Sequence, residues 1–304
     1  MSKRALLFPG QGSQYVEMAK DLFENSVEAK EMIKTADNAL NVNLSHIMFY
    51  GPEEELKQTE YTQPAIFLHS VVLASILRRL PFDGAAGHSL GEYSALVACG
   101  AVQFYDAVQL VRLRGLAMQG AGREQPGTMA AVIGLERSVV YDICKEASEE
   151  GVVQPANFNS PGQIVISGSI DGVTKAMELA KAAKARLVTM LPVSGAFHSP
   201  LMLSAQEKLS EALDKTHFYD IKKPVYANVT AAPELKKEKI KENLYRQLTA
   251  PVLWEDTIKN MISDGFTEFV EVGPGKVLQG LVKRIDNSVA ISGIDKYSEI
   301  EKYL

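Results

Sequence analysis

Ser89, in the run Gly87-His88-Ser89-Leu90-Gly91, is the residue of this sequence whose setting best suits a nucleophile. The pattern G-x-S-x-G builds a nucleophile elbow, in which a serine sits on a sharp strand-to-helix turn with its hydroxyl clear of the sheet. The flanking glycines admit backbone too crowded for a Cβ. The neighbours fit. Ala85-Ala86 belongs to a small-residue run that can be a buried strand, Leu90 to Ala98 reads as a helix, and Gly100 is placed to end it. From there Ser89 would attack an acyl carbonyl, with the N–H of Leu90 aimed where an oxyanion forms. A glycine-rich turn carrying a bystander serine has the same five letters, so the rest of the sequence has to decide.

A serine nucleophile needs a base, and the sequence has five histidines. His88 precedes Ser89 on a tight turn, so its ring should point elsewhere. His69 falls in a buried helical run, where a core histidine is the usual case. His46 and His217 sit in polar connections and read as exposed. His198 lies in Val193-Ser194-Gly195-Ala196-Phe197-His198-Ser199-Pro200, a glycine- and proline-bracketed loop after a strand. Active-site loops of α/β folds belong there, which makes His198 the favoured base. Arg114 is the other anomaly. Leu110, Val111, Ala117 and Met118 put it on the apolar stripe of a helix, Phe104 to Ala121. A guanidinium inside such a stripe is costly unless paired. Its partner is either an internal Asp or Glu or a carboxylate arriving with the substrate, or else its stem covers the stripe while its head reaches water.

The elements that must position these groups alternate between strand and helix. Ala5 to Phe8 reads as a buried first strand ending at Gly10-Gln11-Gly12, where Tyr15 stands in place of the third glycine of a dinucleotide fingerprint. Gly273-Pro274-Gly275-Lys276-Val277 likewise lacks the Ser or Thr of a phosphate-binding loop. Helices are expected at Met18 to Asn25, Val27 to Leu40, Pro64 to Leu77 with Pro64 as its first residue, Leu201 to Leu213, Tyr245 to Leu248 and Trp254 to Asp264. Strands are expected at Pro224 to Asn228, Thr267 to Val272 and Val289 to Ile294. This alternation predicts a mainly parallel sheet covered on both faces. Between residues 125 and 192 the order becomes strand–helix–strand–strand–helix–strand, that of a ferredoxin-like insertion.

Composition narrows the classes. With 304 residues, 46% hydrophobic and 23% charged, this is an ordinary globular sequence long enough for a large core. The net charge of -5 argues against a nucleic-acid binder. Two cysteines, Cys99 and Cys144, make neither a disulfide framework nor a metal site and suit a reducing, cytoplasmic setting. The longest apolar run, Ala65 to Leu77, is interrupted by His69, Ser70 and Ser75 and is too short to span a membrane.

Taken together, the motifs resemble those of malonyl-CoA:acyl carrier protein transacylases. They are Gly10-Gln11-Gly12-Ser13-Gln14, the elbow with Glu92-Tyr93, Arg112-Leu113-Arg114-Gly115, Asn159-Ser160-Pro161-Gly162-Gln163, Gly195 to Pro200, Gln247 to Val252 and Glu271 to Gly275. They stand in that family's order and cover nearly the whole chain. The resemblance implies an α/β-hydrolase-like catalytic domain, residues 1–124 and 193–304, with a ferredoxin-like α+β insertion at 125–192. It implies Ser89 as nucleophile, His198 as base, and Gln11 with the Leu90 amide as oxyanion hole. Gln247 would orient the imidazole through an oxygen, and Arg114 would hold the malonyl carboxylate. Met118, Asn159, Gln163 and Phe197 match positions near the pocket or the CoA arm. In related enzymes a phenylalanine before the histidine goes with malonyl and a smaller residue with methylmalonyl. The implied reaction is ping-pong, with malonyl-CoA and acyl carrier protein as substrates, in a monomer using no metal or redox cofactor. A serine esterase on the same fold would share elbow and base but has no reason to keep Arg114. A scaffold relic would have lost at least one of Ser89, His198, Gln11 and Arg114.

Overall fold

Strand β1 (Lys3–Phe8) runs parallel between β2 (Gly84–Gly87) and β9 (Phe266–Val272), pairing Leu6 with Ala85 on one side and with Val270 on the other. The computed structural model describes residues 2–303. Among these, the strands fall into two sheets, whose other members are β3 (Gly127–Ile133), β4 (Val153–Ser160), β5 (Gln163–Ser169), β6 (Leu187–Met190), β7 (Val225–Tyr226), β8 (Pro233–Glu234) and β10 (Ala290–Ile294). The larger sheet has the order β10-β9-β1-β2-β7-β8 and is parallel except for the β7–β8 pair. Alternation along β1 sends Leu6 and Phe8 into one core cluster and Ala5 and Leu7 into the other. Helices Thr59–Ile76 and Phe104–Glu124 contribute to the first, Trp254–Ser263 and Val277–Ile285 to the second. A parallel sheet needs this cover on both faces. The carboxyl ends of β1 and β2 then open onto one crevice, the usual place for a site in such sheets.

Strands β3 to β6 form the second sheet, antiparallel in the order β4-β5-β3-β6, with helices Arg137–Ala147 and Ile170–Ala182 packed on it. That is the ferredoxin-like order. Backbone bonds from Phe158 N to Val252 O (2.9 Å) and from Val252 N to Ala156 O (2.8 Å) join β4 to the segment just after Gln247. The two sheets therefore meet beside the residues that hold His198.

Two expectations need correction. Pro64 does not open its helix, which starts at Thr59 and carries Pro64 in its second turn. Proline has no N–H for the carbonyl of Glu60, and the Arg112 guanidinium takes that carbonyl instead while also pairing with the Glu60 carboxylate at 2.7 Å. The helix expected only from Tyr245 begins at Lys237. Its buried positions, Ile240, Asn243, Leu244 and Gln247, keep helical spacing, but two of the four are polar and weaken the pattern. Helices Leu44–Tyr50 and Glu53–Leu56 appear where only connections were expected. No helix among the described residues is long and apolar enough to cross a membrane.

Candidate active site

The elbow is built by two glycines packed on each other. A Cβ on Gly87 would lie 1.9 Å from the carbonyl carbon of Gly91, and one on Gly91 would lie 2.0 Å from the Phe8 oxygen. No larger residue fits either place. The turn puts Ser89 at φ 51°, the left-handed region, which costs a residue with a side chain roughly 1–3 kcal/mol. Asn228, just beyond β7, holds that geometry. Its Oδ1 accepts from the Ser89 amide at 2.6 Å and its Nδ2 donates to the Gly87 carbonyl at 2.7 Å.

His198 arrives from the loop before helix Leu203–Lys215, also in the left-handed region at φ 59°. Its Nε2 lies 2.8 Å from Ser89 Oγ. Its Nδ1 faces two backbone carbonyls, Gln247 at 2.8 Å and Ala250 at 3.2 Å. Two acceptors on Nδ1 fix the proton there and leave the Nε2 lone pair for the serine hydroxyl. Burial, and next the charge of Arg114, lower the imidazole pKa to about 3, so the resting ring is neutral, with its Nε2 lone pair open to the serine hydroxyl. Gln247 does reach the imidazole through an oxygen, and that oxygen belongs to its backbone. Its side chain serves elsewhere: Oε1 accepts from Arg114 at 3.0 Å, and Nε2 donates to the Ser89 carbonyl at 3.1 Å and to Glu92 at 2.8 Å.

Arg114 is 0% exposed, and every hydrogen-bond partner of its guanidinium is neutral. NH1 donates to Gln63 Oε1 at 2.7 Å, while NH2 donates to Ser89 Oγ at 3.1 Å and to Gln247 Oε1. Its Nε has no partner among the described residues, and the plane lies 5.5 Å from the Tyr93 ring centroid. Arg112, two residues away, has the ordinary solution in its Glu60 ion pair. A buried cation satisfied only by neutral groups is costly to keep and keen to take an anion. Its hold on Ser89 Oγ puts any such anion beside the reacting atom.

A cavity of about 210 Å³ opens over Ser89 and His198. Gln11, Met118, Asn159, Gln163 and Phe197 all line it, so the residues expected near the substrate do converge. Arg114 and Gln247 are not on its wall and reach it through Ser89. Leu90 buries its side chain in the core and does not line the cavity. The remaining histidines behave otherwise. His88, expected to point elsewhere, lines the same cavity, but its Nε2 donates to Asn159 Oδ1 at 2.8 Å; His69 donates from Nε2 to the Asp295 carbonyl at 2.7 Å within the core, and His46 and His217 are exposed.

Residues 5–297 match the acyl transferase domain family. The chain belongs to that family. It is 45% identical over 304 residues to the malonyl CoA-acyl carrier protein transacylase of Bacillus subtilis (strain 168), covering 99% of this chain and 96% of that one. It is 43% identical over 302 residues to the enzyme of the same name from Staphylococcus aureus (strain COL), covering 99% and 98%. Among solved structures, an acyl carrier protein S-malonyltransferase from Vibrio cholerae superposes with a TM-score of 0.95 at 41% identity, covering 99% of each chain. A malonyl-transacylase in complex with its type II PKS acyl-carrier protein superposes with a TM-score of 0.96 at 38% identity, covering 100% of this chain and 99% of that one.

This acyl transferase holds its site with three residues that sequence reasoning did not single out. Asn228 staples the elbow, Gln63 receives Arg114, and Glu92, 3% exposed, ties Asn228 to Gln247. Glu92 Oε2 accepts from the Asn228 amide at 3.0 Å and from Gln247 Nε2 at 2.8 Å. Burial raises its carboxyl to about 7 against the pull of those two donors and of Arg114. The available signal was an acid inside an apolar helix directly after the elbow. Gln63 and Asn228 carried none, because a lone amide in a sequence looks the same exposed or buried.

Proposed function

We propose that this acyl transferase moves malonyl from malonyl-CoA to the phosphopantetheine thiol of acyl carrier protein, through an ester on Ser89. The observation that carries the reading is Arg114, fully buried among neutral partners and bonded to the nucleophile's own oxygen. An acyl group bearing a distal carboxylate would supply the anion that guanidinium lacks, with two parallel N–H···O bonds. His198 takes the Ser89 proton as Oγ attacks the thioester carbonyl, and the Leu90 amide with Gln11 stabilises the oxyanion. Collapse breaks the C–S bond, and His198 returns the proton to the departing CoA sulfur. The carrier-protein thiol then attacks the ester in the reverse sequence and Ser89 is regenerated. Both half-reactions are acyl transfers, so the scheme needs no metal or redox group. Residues 1–124 and 193–304 would form the catalytic domain and 125–192 the insertion, in a cytoplasmic enzyme supplying fatty acid elongation.

The test is intact-mass spectrometry after incubation with malonyl-CoA alone. The protein should gain one malonyl group, mapping to the peptide containing Ser89. Undiminished labelling of Ser89→Ala would rule the mechanism out. The cavity wall makes a second prediction. Phe197 is 5% exposed and lines the space beside Ser89, where a branched acyl group would need room for its methyl. Phe197→Ser should therefore raise the kcat/KM of methylmalonyl-CoA relative to malonyl-CoA by roughly tenfold, the scale of one methyl or methylene in an apolar pocket. An unchanged ratio removes this steric account.

A further inference from the structure

A side-chain amide can present either its oxygen or its NH2 group to a neighbour, and the two ends give opposite results against a guanidinium. Gln247 faces that choice at Arg114. Its orientation is imposed from the far end, where Nε2 donates to Ser89 O at 3.1 Å and to Glu92 Oε2 at 2.8 Å. Glu92 Oε2 is met by two donors, the Asn228 backbone N–H and the Gln247 NH2 group, and serves both as an acceptor, which sets the NH2 end toward Glu92 and turns Oε1 toward Arg114. Glu92 also accepts from the backbone amide of Asn228, whose side chain holds the elbow. Glu92 and Arg114 thus stand at the two ends of one buried amide, an acid and a guanidinium joined by a neutral bridge.

We propose that Glu92 is a positioning residue: by fixing the Gln247 amide it holds the Arg114 guanidinium where a substrate carboxylate can meet it, and so sets the preference for carboxylated over neutral acyl groups. Glu92 touches neither the cavity nor Ser89 Oγ, so it acts through Gln247. Without Glu92 the amide keeps only the Ser89 carbonyl as an anchor. Arg114 then loses an acceptor of fixed position beside the nucleophile.

This rests on the proposed roles of Ser89 and Arg114, and the experiment separates the two. Glu92→Leu removes the acceptor, and Glu92→Gln keeps an oxygen for both donors while removing the charge. Malonyl-CoA and acetyl-CoA are compared as kcat/KM in wild type and both variants, with folding checked by thermal unfolding. The malonyl-to-acetyl ratio should fall roughly tenfold or more in Glu92→Leu, the scale of one charge-assisted hydrogen bond. It should return to within about threefold of wild type in Glu92→Gln, since the amide bonds of that variant are kept. A residue that only supports the fold would lower both substrates by one factor, and that result overturns the proposal. So does a ratio that the glutamine variant fails to restore. If the wild-type protein forms no malonyl ester on Ser89, the underlying reading fails instead. If Glu92→Leu does not fold, Gln247→Glu gives the second measurement: a carboxylate facing Glu92 repels it, and the ratio should fall while the His198 contact, made by backbone, persists.

Discussion

Replacing His198 with alanine should lower kcat for malonyl transfer by on the order of 10⁴-fold or more, the loss seen when a hydrolase nucleophile is stripped of its base. The size follows from how much one ring does here. It would take the Ser89 proton through a 2.8 Å contact and give it to the departing CoA sulfur, then take the proton of the attacking carrier thiol and give it back to Ser89 Oγ, so both half-reactions lose their proton carrier. The oxyanion donors and the Arg114 contact survive the substitution, which leaves residual activity rather than none. Because burial lowers this imidazole to about 3, the wild-type acylation rate at saturating malonyl-CoA should stay level from about pH 8 to about pH 5. An ordinary histidine, whose pKa lies near 6.5, would gain its proton across that interval and stop working as a base. Pre-steady-state release of CoA measures both predictions. A drop in rate centred near pH 6.5 that persists in Glu92→Gln, where the neighbouring carboxyl no longer titrates, would show a solvated imidazole and count against the buried geometry.

The backbone carbonyls on Nδ1 explain why this chain needs no carboxylate in the third position. A carbonyl dipole fixes the tautomer as well as an anion does, but stabilises the imidazolium less. Arg114, close enough to lower the His198 pKa, would be offset by a carboxylate at that place. Keeping the acceptors neutral leaves the guanidinium available to an incoming anion. On the proposed mechanism, the arrangement would trade some stabilisation of the imidazolium for selection of a charged acyl group.

Much of this site could be read from the chain because its chemistry depends on local pattern. Gly87 and Gly91 announce the elbow, since Gly87 packs on the backbone of Gly91 within the same five residues, although Gly91 in turn packs on Phe8 of the neighbouring strand. The loop around His198 carries its own glycine and proline marks, and Arg114 is conspicuous as a charge in an apolar stripe. The inserted sheet was legible from the order of its strands and helices. What stayed hidden depends on contacts between distant residues. Asn228 lies 139 positions from the amide it holds, and the side chain of Gln247 meets Glu92 across 155. Pro64 sits inside a helix because Arg112 satisfies the carbonyl it strands, a compensation no local rule contains. Gln247 illustrates the limit most clearly. Its position matched a catalytic role, yet the atom that performs the role is backbone, which any residue type could supply, and its amide does separate work.

Arg114→Ala should cost malonyl transfer about 3–5 kcal/mol in kcat/KM, the range found when one member of a buried ion pair is removed. The free protein has little to lose from the change. Gln63, Gln247 and Ser89 give up a donor each, and the buried Glu92 loses the attraction of Arg114 across the Gln247 amide, but no carboxylate loses a hydrogen bond. The loss therefore falls on the complex, where the malonyl carboxylate would enter a dry site unpaired. Acetyl-CoA carries no such anion, so its transfer should hold steady or improve, and the malonyl-to-acetyl ratio should fall by about the same energy. Arg114→Lys tests geometry apart from charge. An ammonium supplies the positive charge but not the planar fork, and it cannot serve Gln63, Gln247 and a substrate carboxylate at once in the same directions. It should recover only part of the preference. The measurement is kcat/KM for both thioesters in wild type and the two variants. Equal loss on malonyl-CoA and acetyl-CoA would make Arg114 a structural cation whose neutral partners suffice for it. The carboxylate selection would then have to come from elsewhere in the cavity.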